Sequence, residues 1–286
     1  MNANDFEKHF SSYDGISQML KSCSYDEIIS VIAKICGVEP TALESMLVKG
    51  YNEKIQYQYL LKDTIKNIVR YDTVYNMLSD ASSKKVFFLL IKHRVFPDEA
   101  FFKKASELST KPYLEKDIIS FDGNDVLVDC GRTGTIALEF IRQFEKYNKI
   151  YVYESEKNKF EKCKKNLSSY ENVTIKCKKV NASETVSSIC LDNDIAESVS
   201  YIKMDLGGSE ISALIGAKKH IKNDKPDICI CTSNSLNALW EIPLFIKAMT
   251  HGYVYHIRHY CDNSDNKTVF YAVSPKKSVI PAKKSC

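Results

Sequence analysis

Three stretches in the second half of the chain restrict its fold more than anything else in it: DVLVDCGRTGT from Asp125, KIYVYES from Lys149 and YIKMDLGGSE from Tyr201. Each is an apolar run of strand length that ends in small or acidic residues and leads into a helical pattern. In an open parallel sheet, ligands bind where the carboxyl ends of the strands meet the following loops. A glycine-bearing turn after the first strand and an acid after the second form the arrangement that holds an adenosine ribose. The first turn carries Gly131 and Gly134 with only Arg132 and Thr133 between them.

The alternation continues to the end of the chain. Strands are expected at Val126–Asp129, Ile150–Tyr153, Val173–Cys177, Tyr201–Asp205 and Asp227–Cys231, with two more at Tyr253–Tyr260 and Thr268–Val273. Helices are expected from Thr135 to about Tyr147, then to Asn166, from Glu210 to about Asn223, and around Trp240 to Met249. Strands alternating with helices predict a doubly wound α/β sheet. Only CDNSDNK separates the last two strands, so they should pair as an antiparallel hairpin. A parallel centre with a terminal antiparallel hairpin fits the Rossmann-like class I methyltransferase fold better than the dehydrogenases. It argues, with the poor dinucleotide glycine pattern, against an oxidoreductase.

The first part of the chain reads as helical. Ser24 and Glu27 form a capping box that opens YDEIISVIAKIC, and Gly37 is placed to end that helix in a left-handed turn. Thr41 and Glu44 repeat the signature before SMLVKGY. From Ile55 to Leu78, residues Tyr59, Leu60, Ile65, Ile68 and Val69 fall at helical spacing. KKVFFLLIKHRVF, after Ser83, reads as an amphipathic helix stopped by Pro97. The expected organisation is a helical N-terminal region over 1–115, an α/β domain over 116–274 and a basic tail over 275–286.

Among the 286 residues, 44% are hydrophobic, enough for a real core. No apolar run approaches the roughly 18 residues of a membrane span, and MNANDFEKHF has no signal-peptide pattern, so a cytoplasmic protein is expected. The ten cysteines contain no CxxC pair, so buried free thiols are expected rather than zinc or redox motifs. His256 and His259, three apart in a strand, face opposite sides, so no metal set is expected. The net charge is +4, and its basic excess gathers in EKNKFEKCKKN and in the tail. Without aromatics interleaved in a broad basic stripe, nucleic acid is not an expected partner.

From about Val86 to Val273 the chain resembles the FkbM family of S-adenosylmethionine-dependent methyltransferases. The resemblance rests on VLVDCG, IYVYE, YIKMDLGGSEISALIGAKKHIKNDKPDICIC, LWEIPLFIKAM and RHYCDNSDNKTVFYA. It implies S-adenosylmethionine as cofactor and a hydroxyl of a sugar or small metabolite as acceptor. It implies that Asp129 orders the first turn and, through water, the cofactor's amino-acid end. Gly131, Arg132 and Gly134 would form the turn around the cofactor. Glu154 would hold the ribose hydroxyls, since one carboxylate can accept both hydrogen bonds. Asn181 is either near the adenine amino group or a plain turn residue. Asp205 and Glu210 are the candidate bases, with Lys203 placed to fix a carboxylate or an acidic acceptor. Glu210 is equally readable as part of its helix's first turn. Arg132 would attract the cofactor's carboxylate end and repel its sulfonium, or else point outward.

The chain departs from the family's pattern at its short first turn and at Gly207, where the resemblance implies glutamate. Asn234 and Ala238 stand where it implies histidine and aspartate, and Lys267 where it implies glutamate. Two classes of function follow: a methyltransferase, or a non-catalytic binding module on the same fold. The helical N-terminal region would serve as a cap or as a surface for homo-oligomers.

Overall fold

The computed structural model describes residues 1–49, 57–144, 146–264 and 266–274. Seven strands form one sheet: β1 Val126–Cys130, β2 Lys149–Tyr153, β3 Val173–Lys176, β6 Tyr201–Met204, β7 Asp227–Cys231, β8 Val254–His259 and β9 Thr268–Val273. Two short strands, β4 Lys179–Val180 and β5 Ser188–Ile189, form a separate parallel pair that the sequence did not announce. The order across the sheet is β3-β2-β1-β6-β7-β9-β8. β9 runs antiparallel to both β7 and β8, as the missing helix requires. Every residue of β1 and β7 is buried because helices cover both faces of the sheet. The strand order reverses between β1 and β6, which opens a crevice at their carboxyl ends.

Among the described residues, eight helices precede the sheet: α1 Ala3–His9, α2 Tyr13–Ser22, α3 Tyr25–Cys36, α4 Pro40–Lys49, α5 Tyr57–Lys66, α6 Ile68–Met77, α7 Ala81–Val95 and α8 Ala100–Ser106. Six more flank it: α9 Thr135–Gln143, α10 Lys157–Leu167, α11 Leu191–Asp194, α12 Glu210–Ile215, α13 Lys218–Asn223 and α14 Ala238–Met249. None among the described residues is long and apolar enough to cross a membrane. Leu78, Phe87 and Ile91 share one hydrophobic core with Tyr255, Ile257 and Phe270. The opposite face of the sheet packs Leu127, Ile150 and Tyr201 on Phe140 and Cys163.

The Ser24 capping box is present in full, and Gly37 ends α3 at φ 67°. The second expected cap is not used. α4 starts at Pro40, whose ring presets the first helical φ and whose missing N–H costs nothing there. The single helix expected up to Leu78 is two. Asn67 breaks it with ψ 17°, its side chain donating back to the Asp63 carbonyl at 3.2 Å and to Asp63 Oδ1 at 2.8 Å. The break turns Val69 outward, and Tyr59 is exposed as well. The expected start of that segment at Ile55 and the basic tail lie outside the described residues.

α7 is not amphipathic. Val86, Phe87, Leu89, Leu90, Ile91, His93, Arg94 and Val95 are all buried, because the helix is clamped between the sheet edge and the other N-terminal helices. The helix expected from Glu210 to Asn223 breaks at Gly216 and Ala217. A Cβ on Gly216 would lie 2.1 Å from the Asn181 carbonyl, so a glycine is required where α12 meets that loop. Four cysteines are buried as expected, while Cys36 and Cys177 are exposed.

β8 is an edge strand whose outer N–H groups would be open to pairing with another chain. Serines of the N-terminal region take them: Ser79 Oγ accepts from Tyr255 N at 3.2 Å, Ser83 Oγ from Ile257 N at 3.0 Å and Ser109 Oγ from His259 N at 3.1 Å. Phe102 is sandwiched beside this edge between His93 at 4.0 Å and His259 at 5.2 Å. Burial pushes His93 down to about 3 and His259 to about 4. Both rings stay neutral in the folded protein, whereas an unfolded histidine takes its proton near pH 6.5. Stability is therefore full above about pH 6.5 and falls as the pH drops, by about 1.4 kcal/mol per pH unit for each ring. Urea unfolding at several pH values should give a two-histidine slope between pH 6 and 4.5, and His93→Gln should halve it. A flat profile there would contradict the burial argument.

Candidate active site

After β1 the chain passes through four successive residues of positive φ: Gly131 at 85°, Arg132 at 61°, Thr133 at 62° and Gly134 at 64°. A β-branched residue seldom adopts this conformation, so the turn is held from outside. Glu154 Oε2 accepts from Thr133 N at 3.2 Å. Lys203 Nζ donates to the Gly131 carbonyl at 2.8 Å, and Arg132 Nε donates to Asp205 Oδ2 at 2.7 Å.

Lys203 and Asp129 are fully buried and paired at 2.9 Å. Lys203 also donates to the Cys130 carbonyl at 3.3 Å. The other Asp129 oxygen accepts from Ala137 N at 3.0 Å and caps α9. Lys203 reaches the wall of the cleft, but Asp129 does not. The pair shapes the turn from beneath. Asp129 bonds beneath the turn and does not line the cleft.

Asp205 follows β6 and is nearly buried. Besides Arg132, its carboxylate accepts from the Tyr113 hydroxyl at 3.0 Å and from Asn234 Nδ2 at 3.3 Å. Burial opposes the Arg132 charge, yet Asp205 outweighs it and raises the guanidinium above its ordinary value. The Tyr113 phenol is raised well above its ordinary value, first by burial and then by nearby acidic groups including Asp205. Glu210 stands apart from the cleft. Its oxygens accept from Leu206 N at 2.8 Å, Gly208 N at 2.9 Å and Asn234 Nδ2 at 2.6 Å. Of the two readings open for Glu210, the geometry favours the structural one: it ties down the turn between β6 and α12.

The cleft at the carboxyl ends of β1, β2 and β6 measures about 1600 Å³, counting the solvent at its mouth. It brings together Gly131, Arg132, Glu154, Lys203 and Asp205 from the expected set. Gly134, Asn181, Asp129 and Glu210 do not line it. Gly134 is buried against Leu167 and Val152, where a Cβ would lie 2.9 Å from Leu167 Cδ1, so its glycine serves packing. The Asn181 side chain accepts from Ala182 N at 2.8 Å and from the Ser212 hydroxyl, as a turn residue does. Glu154 lines the cleft and is 4% exposed; its Oε1 accepts from Glu156 N at 3.0 Å.

Among the described residues, six that are not glycine have positive φ, and four of them, Tyr113, Arg132, Thr133 and Lys267, line this one cleft. Strained conformations persist where the surroundings over-determine them, and they gather at functional sites. Tyr113 was missed as a site residue. Its φ of 65° and its bond to Asp205 come from a loop that sequence pattern marks only as the end of the helical region. Lys178 and Lys179 also line the cleft unforeseen. Gly207 has a φ of 65°, so a glutamate there would be strained by about 1–2 kcal/mol.

The sheet order and the crevice at its switch point define a class I methyltransferase-like fold. In particular, the chain is similar to the methyltransferase FkbM from Methylobacillus flagellatus KT, with a TM-score of 0.73 and 18% identity over 94% of this chain and 81% of that one. Fibrillarin from Aeropyrum pernix, solved with natively bound S-adenosyl-L-methionine, matches 59% of this chain and 73% of its own at a TM-score of 0.42 and 13% identity. Precorrin-6y C5,15-methyltransferase from Geobacter metallireducens GS-15 matches 55% and 83% at 0.42 and 14%. The fold assignment rests on the first alone. No family model matches the chain, and no curated protein matches it in sequence.

Proposed function

We propose that the chain binds S-adenosylmethionine in this cleft and transfers its methyl group to a hydroxyl of a sugar or small metabolite. The observation that carries the reading is the gathering of strained backbone around one crevice at the strand ends. The residues present fit the cofactor. Glu154, buried at the end of β2, accepts one backbone amide on each oxygen and keeps lone pairs for two ribose hydroxyls. Bound S-adenosylmethionine supplies an electrophilic methyl group on a sulfonium. Arg132 stands at the rim, paired with Asp205, while the Asp129–Lys203 pair holds the turn in shape. Asp205 is the proton acceptor for the attacking hydroxyl. Residues 1–115 act as a cap or an oligomer surface for the domain over 116–274.

Glu154→Gln removes the charge and half of the acceptor capacity. A hydrogen bond to a charged group contributes about 1.5–3 kcal/mol, so affinity for S-adenosylmethionine should fall about tenfold to hundredfold. Titration calorimetry on both proteins reads this directly. Unchanged affinity would remove Glu154 from the site, and no binding to the wild type at millimolar levels would overturn the proposal.

A second reading, a non-catalytic binding module, is favoured by one observation: Arg132, Tyr113 and Asn234 all occupy the Asp205 carboxylate. Cofactor binding without methyl transfer to any hydroxyl acceptor would support it.

A further inference from the structure

Seven basic side chains line the cleft, Lys111, Arg132, Lys159, Lys178, Lys179, Lys203 and Lys267, against four acidic ones. Most of this charge is matched nearby. Lys111 pairs with Glu139 at 3.7 Å, Lys159 with Glu156, Arg132 with Asp205, and Lys203 with Asp129 beneath the wall. Lys178, Lys179 and Lys267 have no acidic partner within ion-pair distance among the described residues. Lys267 belongs to the loop that leads into β9 and holds a φ of 62° against the cleft. Cations held on a low-dielectric wall concentrate anions from solution.

Arg132 is placed to respond to such an anion. Its side chain is 54% exposed while Asp205 is 5% exposed, so the guanidinium can leave for the cleft but the carboxylate cannot follow. Asp205 Oδ2 then loses one of its two donors, since only the Tyr113 hydroxyl remains on it.

Resting on the methyltransferase reading, we infer that the acceptor is a small hydroxylated molecule bearing a carboxylate or phosphate, and that this anion draws Arg132 away from Asp205. The freed Oδ2 takes the hydroxyl proton. The acceptor oxygen forms the new bond to the methyl carbon as the carbon–sulfur bond breaks with its electron pair going to sulfur. An acceptor without the anion leaves Asp205 paired with Arg132.

Glucuronic acid, glucose 1-phosphate and glucose serve as probes of carboxylate, phosphate and neutral chemistry. Each is titrated at low ionic strength into the full chain, with and without S-adenosylhomocysteine, while the Arg132 Nε resonance is followed by NMR. One or both charged probes should bind at least about tenfold more tightly than glucose and shift that resonance, and the stronger of them names the anion. Lys267→Gln should weaken the charged probe several-fold. Lys165→Gln, which removes the same charge from the exposed face of α10, should not. Equal or absent binding of charged and neutral probes, an unmoved Arg132 signal, or equal loss in both lysine variants would overturn the inference. Tighter binding of a short RNA oligonucleotide than of either charged probe would overturn it as well. Failure of S-adenosylhomocysteine to bind sinks the methyltransferase reading instead, and the probe titrations without it still test the anion site.

Discussion

Asp80→Ala is expected to destabilise the protein by about 3–5 kcal/mol, because it leaves the buried Arg258 only the solvent-exposed one of its two carboxylate partners. Asp80 Oδ1 lies 3.4 Å from Arg258 Nη1, and Oδ2 lies 2.6 Å from His256 Nδ1. Arg258 is 2% exposed and His256 is fully buried. The same carboxylate caps α7 by accepting from Ser83 N at 2.7 Å. Burial opposes the charge on Asp80, but the hydrogen bonds from His256 and Ser83 and the charge of Arg258 outweigh it. Its carboxyl is held below the usual carboxylate range. Asp80→Asn separates the two contributions, since asparagine is as good a cap and lacks only the charge. Its loss should fall short of the alanine value by the cap's share, about 1 kcal/mol. Asp117→Asn is the control. Asp117 touches Arg258 at 3.2 Å from a side chain that is 60% exposed, and so should cost no more than about 1 kcal/mol. Urea denaturation of the three variants measures all of this. A loss under 1 kcal/mol in Asp80→Ala would mean that water reaches Arg258.

Gly131→Ala should be the most damaging single change at the cleft. The residue sits at φ 85°, ψ 169°, a region that only glycine enters freely. A Cβ there would lie 2.2 Å from the Asp205 carbonyl oxygen, which is backbone and has little room to give. The conformation alone contributes about 1–3 kcal/mol of strain, and relieving the clash costs a similar amount. Relief means parting β1 from β6 where Arg132 and Asp205 meet, so cofactor affinity should fall at least tenfold along with stability. Gly207→Ala isolates the conformational part. Gly207 also has positive φ, but nothing lies within 4 Å of its Cβ position, so about 1 kcal/mol is expected. Equal effects of the two substitutions would show that crowding against Asp205 is unimportant. The resemblance implied that Gly131 forms the turn around the cofactor; the nearest claim on its Cβ space belongs to Asp205, just past the neighbouring strand.

Both predictions concern contacts between residues far apart in the chain, and such contacts divide what the sequence by itself determined from what it did not. Strand type and order in the α/β half are local properties. VLVDC, KIYVY and DICIC are apolar apart from Asp129, Lys149 and Asp227 because both faces of a central strand are covered, and the seven residues between the last two strands allow only a hairpin. The ends of those strands locate Glu154 and Asp205 at the cleft by the same reasoning. The Ser24 cap and the Gly37 stop were legible because a helix end is satisfied within a few residues of itself. Tertiary structure alone decided that α7 is buried nearly all round and that Ser79, Ser83 and Ser109 close the edge of β8, more than 140 residues away. It alone decided that Tyr113 and Asn234 share Asp205 with Arg132, and that Glu210 turns away from the cleft to its own loop. A hydrogen bond needs its partner within about 3 Å, and periodicity says which face a residue occupies without saying which loop the sheet will bring against it.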